Sequence, residues 1–219
     1  MKYTVRLYNT DYMVVREVLI IKLGVTLMRK KSHMSLSMYL VDSMDSELLE
    51  NHKKAFIMGS ILPDCKPSFV TTKHNIDETF DIVCRFIDEL TVDTDGFKRI
   101  STAYCRKLGE VTHYLADYFT FPHNDIFDGN IREHCKYEKH LKKALKQYIR
   151  SRHVAVNRQI IDGFTTPQDL IDYVIKIHNQ YLSCDKTVES DCMYIVSLCH
   201  VIVAGILNIL TMNRNIAAA

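Results

Sequence analysis

The chain has 219 residues, of which 47% are hydrophobic and 25% charged, and these values exclude a disordered or fibrous protein. Its formal net charge of +2 provides no electrostatic footprint for bulk nucleic-acid binding, so no stable nucleic-acid partner is predicted. Only seven glycines and four prolines argue against a turn-rich β sandwich or barrel and favour long helices.

The first part of the chain differs from the rest, and residues 1–29 are interpreted as an N-terminal extension that need not belong to the core. Residues 18–28 are apolar, but Lys22 interrupts the run and no basic stretch directly precedes it, so it makes a poor signal peptide. A second apolar run, residues 193–212, is long enough to span a bilayer. Because it contains Ser197, His200 and Asn208, we interpret it as a buried core helix.

From residue 30 onward the hydrophobic pattern is helical, and we predict one all-α domain, 30–219, built as a single-domain multi-helix bundle. Capping residues and breaks in the pattern predict about seven helices and no strand. The expected helices start at Ser32 and then run from Ser46 to about Met58, Asn75 to Leu90, about Phe97 to Phe119, Ile131 to about Ser151, Pro167 to about Leu182, and about Val188 to Leu210.

Histidine and carboxylate residues recur at helical spacing in the middle of the chain. His113 and Asp117 are four positions apart, so both side chains leave the same face of one helix. His134 and Glu138 repeat this spacing on the next helix, and His123 lies in the turn between them. A single such pair is usually a surface ion pair. Two pairs and a third histidine on consecutive helices favour a metal site, and nitrogen with oxygen ligands suits zinc.

The stretch HYLADYFTFPHN, an H-x3-D-x5-H pattern followed later by H-x3-E, resembles the zinc-dependent phospholipase C family of bacterial enzymes that cleave phospholipid headgroups. The pair Ser32–His33, the segment FIMGSILPD ending at Asp64, and His74 stand in the expected chain order. The resemblance covers about residues 30–145. Because single-strand-specific zinc nucleases share this fold and ligand pattern, phosphodiester chemistry is implied more firmly than a lipid substrate.

Carried over residue by residue, the resemblance implies three zinc positions, of which this sequence supports the first two best. The first zinc would be held by Asp64, His74, His113 and Asp117. The second would be held by His123, His134 and Glu138, with a position open for water or substrate. The third would use His33, with Asp117 bridging. Secreted relatives complete the third position with an N-terminal Trp. This chain has no Trp, so that position is unfilled or is completed by another group such as a free amine at Met28.

The implied activity is zinc-dependent hydrolysis of the glycerol–phosphate bond of phospholipids by a metal-activated water. In this scheme Asp64 is either a ligand or the catalytic base that takes the proton of the water. One alternative is a nuclease or another small phosphodiesterase on the same zinc site. Another is a non-catalytic zinc-binding helical protein.

Three further features bear on partners and location. Seven cysteines without a CxxC pair are typical of reduced thiols and predict a cytoplasmic protein. The lysine-rich run 139–146 is interpreted as a solvated helix face, and contact with an anionic membrane surface is the alternative. His52, His153 and His178 are interpreted as solvated side chains.

Overall fold

The computed structural model describes residues 30–66, 72–91, 101–151 and 158–217. Within these ranges the chain forms nine α-helices and no strand, which confirms the predicted all-α class. The predictions about residues 1–29, including the amine of Met28, and about His153 lie outside the described residues.

The helices are numbered here in chain order, and two short 3₁₀ turns join some of them. The 3₁₀ turns are Pro63–Cys65 and Phe121–His123. The helices are α1 (30–43), α2 (Glu47–Asn51), α3 (Lys53–Gly59), α4 (Ile76–Thr91), α5 (Thr102–Tyr118), α6 (Ile131–Ser151), α7 (Arg158–Asp162), α8 (Pro167–Leu182) and α9 (Val188–Ala217).

Several predicted bounds need correction. The helix expected from Ser46 to Met58 is two helices, α2 and α3, because the backbone at His52 leaves helical geometry with φ −119° and ψ 21°. Helix α5 begins at Thr102, later than the predicted Phe97, and Ser101 caps it by accepting a hydrogen bond from the amide of Tyr104. Helix α1 begins before Ser32, α7 was not predicted, and α9 continues past Leu210 to Ala217.

Helix α5 forms the centre of the bundle. Every residue from Leu108 to Tyr118 is buried, and the helix packs against α3, α4 and α9. The polar residues of this stretch are therefore enclosed by other helices, which places the pair His113 and Asp117 inside the core.

Helix α9 packs against each helix from α4 to α8. By length and composition alone, Val188–Asn213 could cross a membrane, with a mean hydropathy of 2.2 in its most apolar window. Because 67% of that window is buried within the bundle, the interpretation as a core helix accounts for its apolar character.

Candidate metal centre

The eight predicted ligands come from six separate segments that meet at one end of α5. Seven of the side chains are buried, and His134 is partly exposed. The segments are α1 with His33, the turn Pro63–Cys65 with Asp64, the residues before α4 with His74, α5 with His113 and Asp117, the turn Phe121–His123 with His123, and α6 with His134 and Glu138.

The first ligand group comprises Asp64, His74, His113 and Asp117. Nε2 of His113 lies 3.0 Å from Nδ1 of His74, so two imidazole nitrogens face each other in the core. Oδ2 of Asp117 lies 3.1 Å from Nδ1 of His74 and 3.4 Å from Nε2 of His113. Oδ1 of Asp64 lies 3.7 Å from each of the same two nitrogens. Two carboxylates therefore flank two imidazoles, and their donor atoms converge.

The tautomer of His113 is fixed by the backbone. Its Nδ1 lies 2.8 Å from the carbonyl oxygen of Ser60, and because a carbonyl only accepts, Nδ1 carries the proton. Nε2 is then the ring nitrogen that faces Asp64 and Asp117 and is available as a ligand atom. Metal-bound histidines are usually oriented by such a hydrogen bond from the other ring nitrogen.

The second ligand group comprises His123, His134 and Glu138. Oε1 of Glu138 lies 2.8 Å from Nε2 of His134 and 3.3 Å from Nε2 of His123. His134 and Glu138 are one turn apart on α6, as their spacing predicts. Nδ1 of His123 lies 3.6 Å from Oδ2 of Asp117, so Asp117 stands between the two ligand groups.

His33 joins the centre from α1. Its Nε2 lies 3.3 Å from Oδ1 of Asp117, whereas the contacts of Asp117 with His74 and His113 are made by Oδ2. Its ring stacks on His113 with 4.0 Å between centroids. Donor atoms of His33, Asp64 and His113 also lie within 4.8 Å of one another, so His33 has two carboxylates within reach.

These residues fit a bound zinc ion. Neither carboxylate oxygen of Asp64 has a hydrogen-bond partner among the described residues, although both oxygens are buried. Burying a carboxylate in this way is costly unless a cation compensates its charge. Each of the three donor groups that the described residues form combines imidazole with carboxylate and contains no cysteine, a donor set that zinc accepts. The metal-binding role of each residue stays a prediction.

The electrostatics of Asp117 keep it in the charged form that a ligand requires. Burial raises the pKa of this carboxyl, but the neighbouring His123, His113 and His33 outweigh burial and hold the pKa well below its usual value of 3.8.

The fold and the donor set together define an all-α protein with buried imidazole–carboxylate groups suited to zinc. The family model described as "Zinc dependent phospholipase C" matches residues 32–187, which is more than half of the chain. The chain therefore belongs to the zinc-dependent phospholipase C family. No curated protein and no solved structure gives a match.

Two buried polar residues next to the centre were missed or misjudged from the sequence. His178 is buried, not solvated, and its Nε2 donates to Oδ1 of Asn124, the residue that follows His123. Asp191 is fully buried and accepts a hydrogen bond from the amide of Phe121. Both contacts join residues more than 50 positions apart in the chain, so no local pattern indicates them.

Proposed function

We propose that the protein is a zinc-dependent phosphodiesterase of phospholipase C type that hydrolyses the bond between glycerol and phosphate. The oxygen of a water molecule attacks phosphorus, and the glycerol oxygen leaves and takes up a proton. The products are a diacylglycerol and a phosphorylated headgroup. The observation that carries this proposal is the convergence of eight histidine and carboxylate side chains from six segments, in a chain of this family.

The two ligand groups would each hold one zinc ion, and His33 with Asp117 would contribute to a third position. When bound, zinc supplies a Lewis acid that lowers the pKa of a water molecule and neutralises charge on the phosphate. Asp64 has two buried oxygens without a described hydrogen-bond partner, so one can serve as a ligand while the other accepts the proton of the attacking water. The carbonyl of Ser60 keeps the Nε2 lone pair of His113 directed into the centre.

A small cavity of about 30 Å³ lies beside the centre, and the chemistry of its lining supports a lipid substrate. The ligands His33, Asp117 and Glu138 line one part of it. The remainder is largely aliphatic, and its described lining offers no aromatic ring on which a nucleobase could stack. The aliphatic wall consists of Leu36, Leu141, Leu145 and Ile195.

We also propose that the rim of the second ligand group contacts the phospholipid surface. Ile126 and Ile131 are each about half exposed, at 49% and 46%, and lie between His123 and His134 in the chain.

The lysine-rich run of α6 is exposed as well, at Lys139, Lys143 and Lys146. At 100° per residue, however, these lysines project from a different side of α6 than His134 and Glu138 do. This supports the interpretation of the lysine-rich run as a solvated helix face.

The cytoplasm is the location that we propose. None of the seven cysteines forms a disulfide, and Cys105, Cys192 and Cys199 are buried. Seven cysteines without a disulfide suit a reducing compartment.

Elemental mass spectrometry of chelator-washed and zinc-reloaded protein, followed by turnover assays, tests the proposed function. We expect two or three zinc ions per chain and hydrolysis of phosphatidylcholine vesicles in preference to single-stranded nucleic acid. His113→Ala and His134→Ala each remove a ligand, so turnover should fall by at least about a hundredfold. His140→Ala, which removes an exposed histidine on the same helix as His134, is the matched control.

Three results would contradict the proposal. Unchanged rates in both ligand variants would remove the metal centre from catalysis. Zinc well below one ion per chain after reloading would leave only helix packing to explain the histidines. Faster hydrolysis of single-stranded nucleic acid than of phosphatidylcholine vesicles would favour the nuclease alternative.

A further inference from the structure

Asp191 lies in the first turn of α9 and is fully buried, and both of its carboxylate oxygens accept hydrogen bonds. Oδ2 accepts two hydrogen bonds, from the amide of Phe121 at 2.9 Å and from the hydroxyl of Tyr137 at 2.8 Å. Oδ1 accepts one hydrogen bond, from the hydroxyl of Tyr181 on α8 at 2.9 Å. One carboxylate thus connects α9 with three other segments.

The two partners of Oδ2 belong to the segments that carry the second ligand group. Phe121 is the first residue of the 3₁₀ turn that ends at His123, and Tyr137 directly precedes Glu138 on α6. Oδ2 of Asp191 therefore joins the turn that presents His123 to the helix that presents Glu138 and His134. Tyr181 binds the other oxygen and carries no ligand of the centre.

The geometry of the second ligand group depends on such a connection. His123 comes from a turn of three residues, whereas His134 and Glu138 are fixed to each other by the geometry of α6. The position of His123 relative to Glu138 consequently depends on how the turn is held against α6. The rings of Phe121 and Tyr137 are in edge contact at 5.8 Å, and the shared carboxylate fixes the same two residues by hydrogen bonds. Metal ligands tolerate displacements of only about 0.5 Å.

We propose that Asp191 is a positioning residue for the second metal: it fixes the turn of His123 to α6, and so sets the distance between His123 and the pair His134 and Glu138. The proposal rests on the proposed zinc centre. It assigns no contact between Asp191 and the metal or the substrate.

The two tyrosines provide a matched pair of variants for the test. Tyr137→Phe removes the hydrogen bond between α6 and Oδ2, and Tyr181→Phe removes the hydrogen bond to Oδ1. Each variant deletes one hydroxyl that donates to the same carboxylate. Asp191→Asn is the stronger variant, because it removes the charge that all three donors face.

The measurement is the affinity of each zinc site, from competition with a chromophoric chelator, together with the visible spectrum of the cobalt-substituted protein. We expect Tyr137→Phe and Asp191→Asn to weaken the second site by about tenfold or more while the first site keeps its affinity. Tyr181→Phe should leave both sites as in the unmodified protein. Circular dichroism identifies any variant that has not folded, and if Asp191→Asn fails to fold, Tyr137→Phe still decides the question.

Two results would overturn the proposal with the zinc centre left intact: wild-type affinity at both sites in Tyr137→Phe, or an equal loss in Tyr181→Phe, which would indicate general packing. A protein that binds no zinc before any substitution would overturn the proposed function and the positioning role together. The two failures are therefore distinguishable.

Discussion

The two carboxylate oxygens of Asp117 meet imidazole nitrogens from four histidines at distances of 3.1 to 3.6 Å. His74, His113 and His123 approach Oδ2, and His33 approaches Oδ1. This carboxylate lies between the two ligand groups and beside His33, so it is the residue through which all parts of the centre are coupled. The low pKa of Asp117 follows from that position, because the surrounding histidines favour its charged form.

Asp64 allows a prediction at the residue scale, because both of its buried carboxylate oxygens lack a hydrogen-bond partner among the described residues. In metal-free protein its buried oxygens accept no hydrogen bond from the described residues, so no donor compensates the desolvation of this carboxylate. We expect Asp64→Asn to raise the free energy of unfolding of chelator-treated protein by about 1–3 kcal/mol and to lower zinc affinity. Urea denaturation with and without zinc measures both effects.

The control for this substitution is Asp88→Asn, which changes an exposed carboxylate on α4. It should alter neither stability nor zinc binding appreciably. If Asp64→Asn destabilised the metal-free protein, the carboxylate would have a structural partner in the folded chain, and the interpretation of its free oxygens as ligand atoms would be wrong.

At the scale of elements, the close crossing of α3 and α5 places the first ligand group. A Cβ atom at Gly59 would lie 1.9 Å from the carbonyl oxygen of Arg106, and one at Gly109 would lie 2.2 Å from that of Phe56. No described glycine has a positive φ, so these two residues are needed for space and not for an unusual conformation. The contact brings the end of α3, with the carbonyl of Ser60, against α5.

Gly109→Ala should therefore disturb both the fold and the first ligand group. The added methyl group meets backbone atoms, which cannot rotate away, so α3 has to move from α5. We expect a loss of about 1–3 kcal/mol in the free energy of unfolding and weaker zinc binding at the first group. Gly163→Ala is the control, because its Cβ would approach no atom closer than 3.3 Å. Equal stability of the two variants would contradict the close-packing argument.

Elements could be predicted where local chemistry decides them. Helix α8 begins at Pro167 because Thr166 and Asp169 form a capping box, and both residues are visible in the sequence. Helix α6 ends where its amphipathic pattern ends, at Ser151. The break at His52 could not be predicted, since no glycine or proline marks it.

At the scale of the whole molecule, the same distinction separates the ligands from the residues that hold them. The spacing of His113, Asp117, His134 and Glu138 is local and readable, and the family resemblance supplied Asp64 and His74. Asp191 was not predicted, because its partners lie up to 70 positions away in the chain. Such hydrogen bonds exist only after the helices have packed, so the sequence alone could not place this carboxylate beside the centre.

Acid sensitivity is a property of the whole bundle to which two histidines outside the ligand groups contribute. Burial lowers the pKa of His178 and His200 below the ordinary value of 6.5. Below about pH 6.5 these two histidines are protonated more readily in the unfolded chain than in the folded chain. Their contribution to the free energy of unfolding is therefore complete above pH 6.5 and declines as the pH falls. The contribution of Asp191 to the pH dependence of stability has the opposite sign. Burial raises its pKa to about 6, so as the pH falls this carboxylate is protonated in the folded chain before it is protonated in the unfolded chain.

His200 isolates the histidine contribution, because it lies on the core helix α9 with Nδ1 unpartnered among the described residues. In His200→Leu the titrating group is absent. The melting temperature should therefore fall less between about pH 7 and about pH 5 than it does in the unmodified protein. Thermal denaturation across this range, on chelator-treated protein, measures the difference. His140→Leu removes an exposed imidazole from α6 and should retain the original pH dependence. An unchanged pH dependence in His200→Leu would mean that the buried imidazole takes up its proton inside the folded bundle.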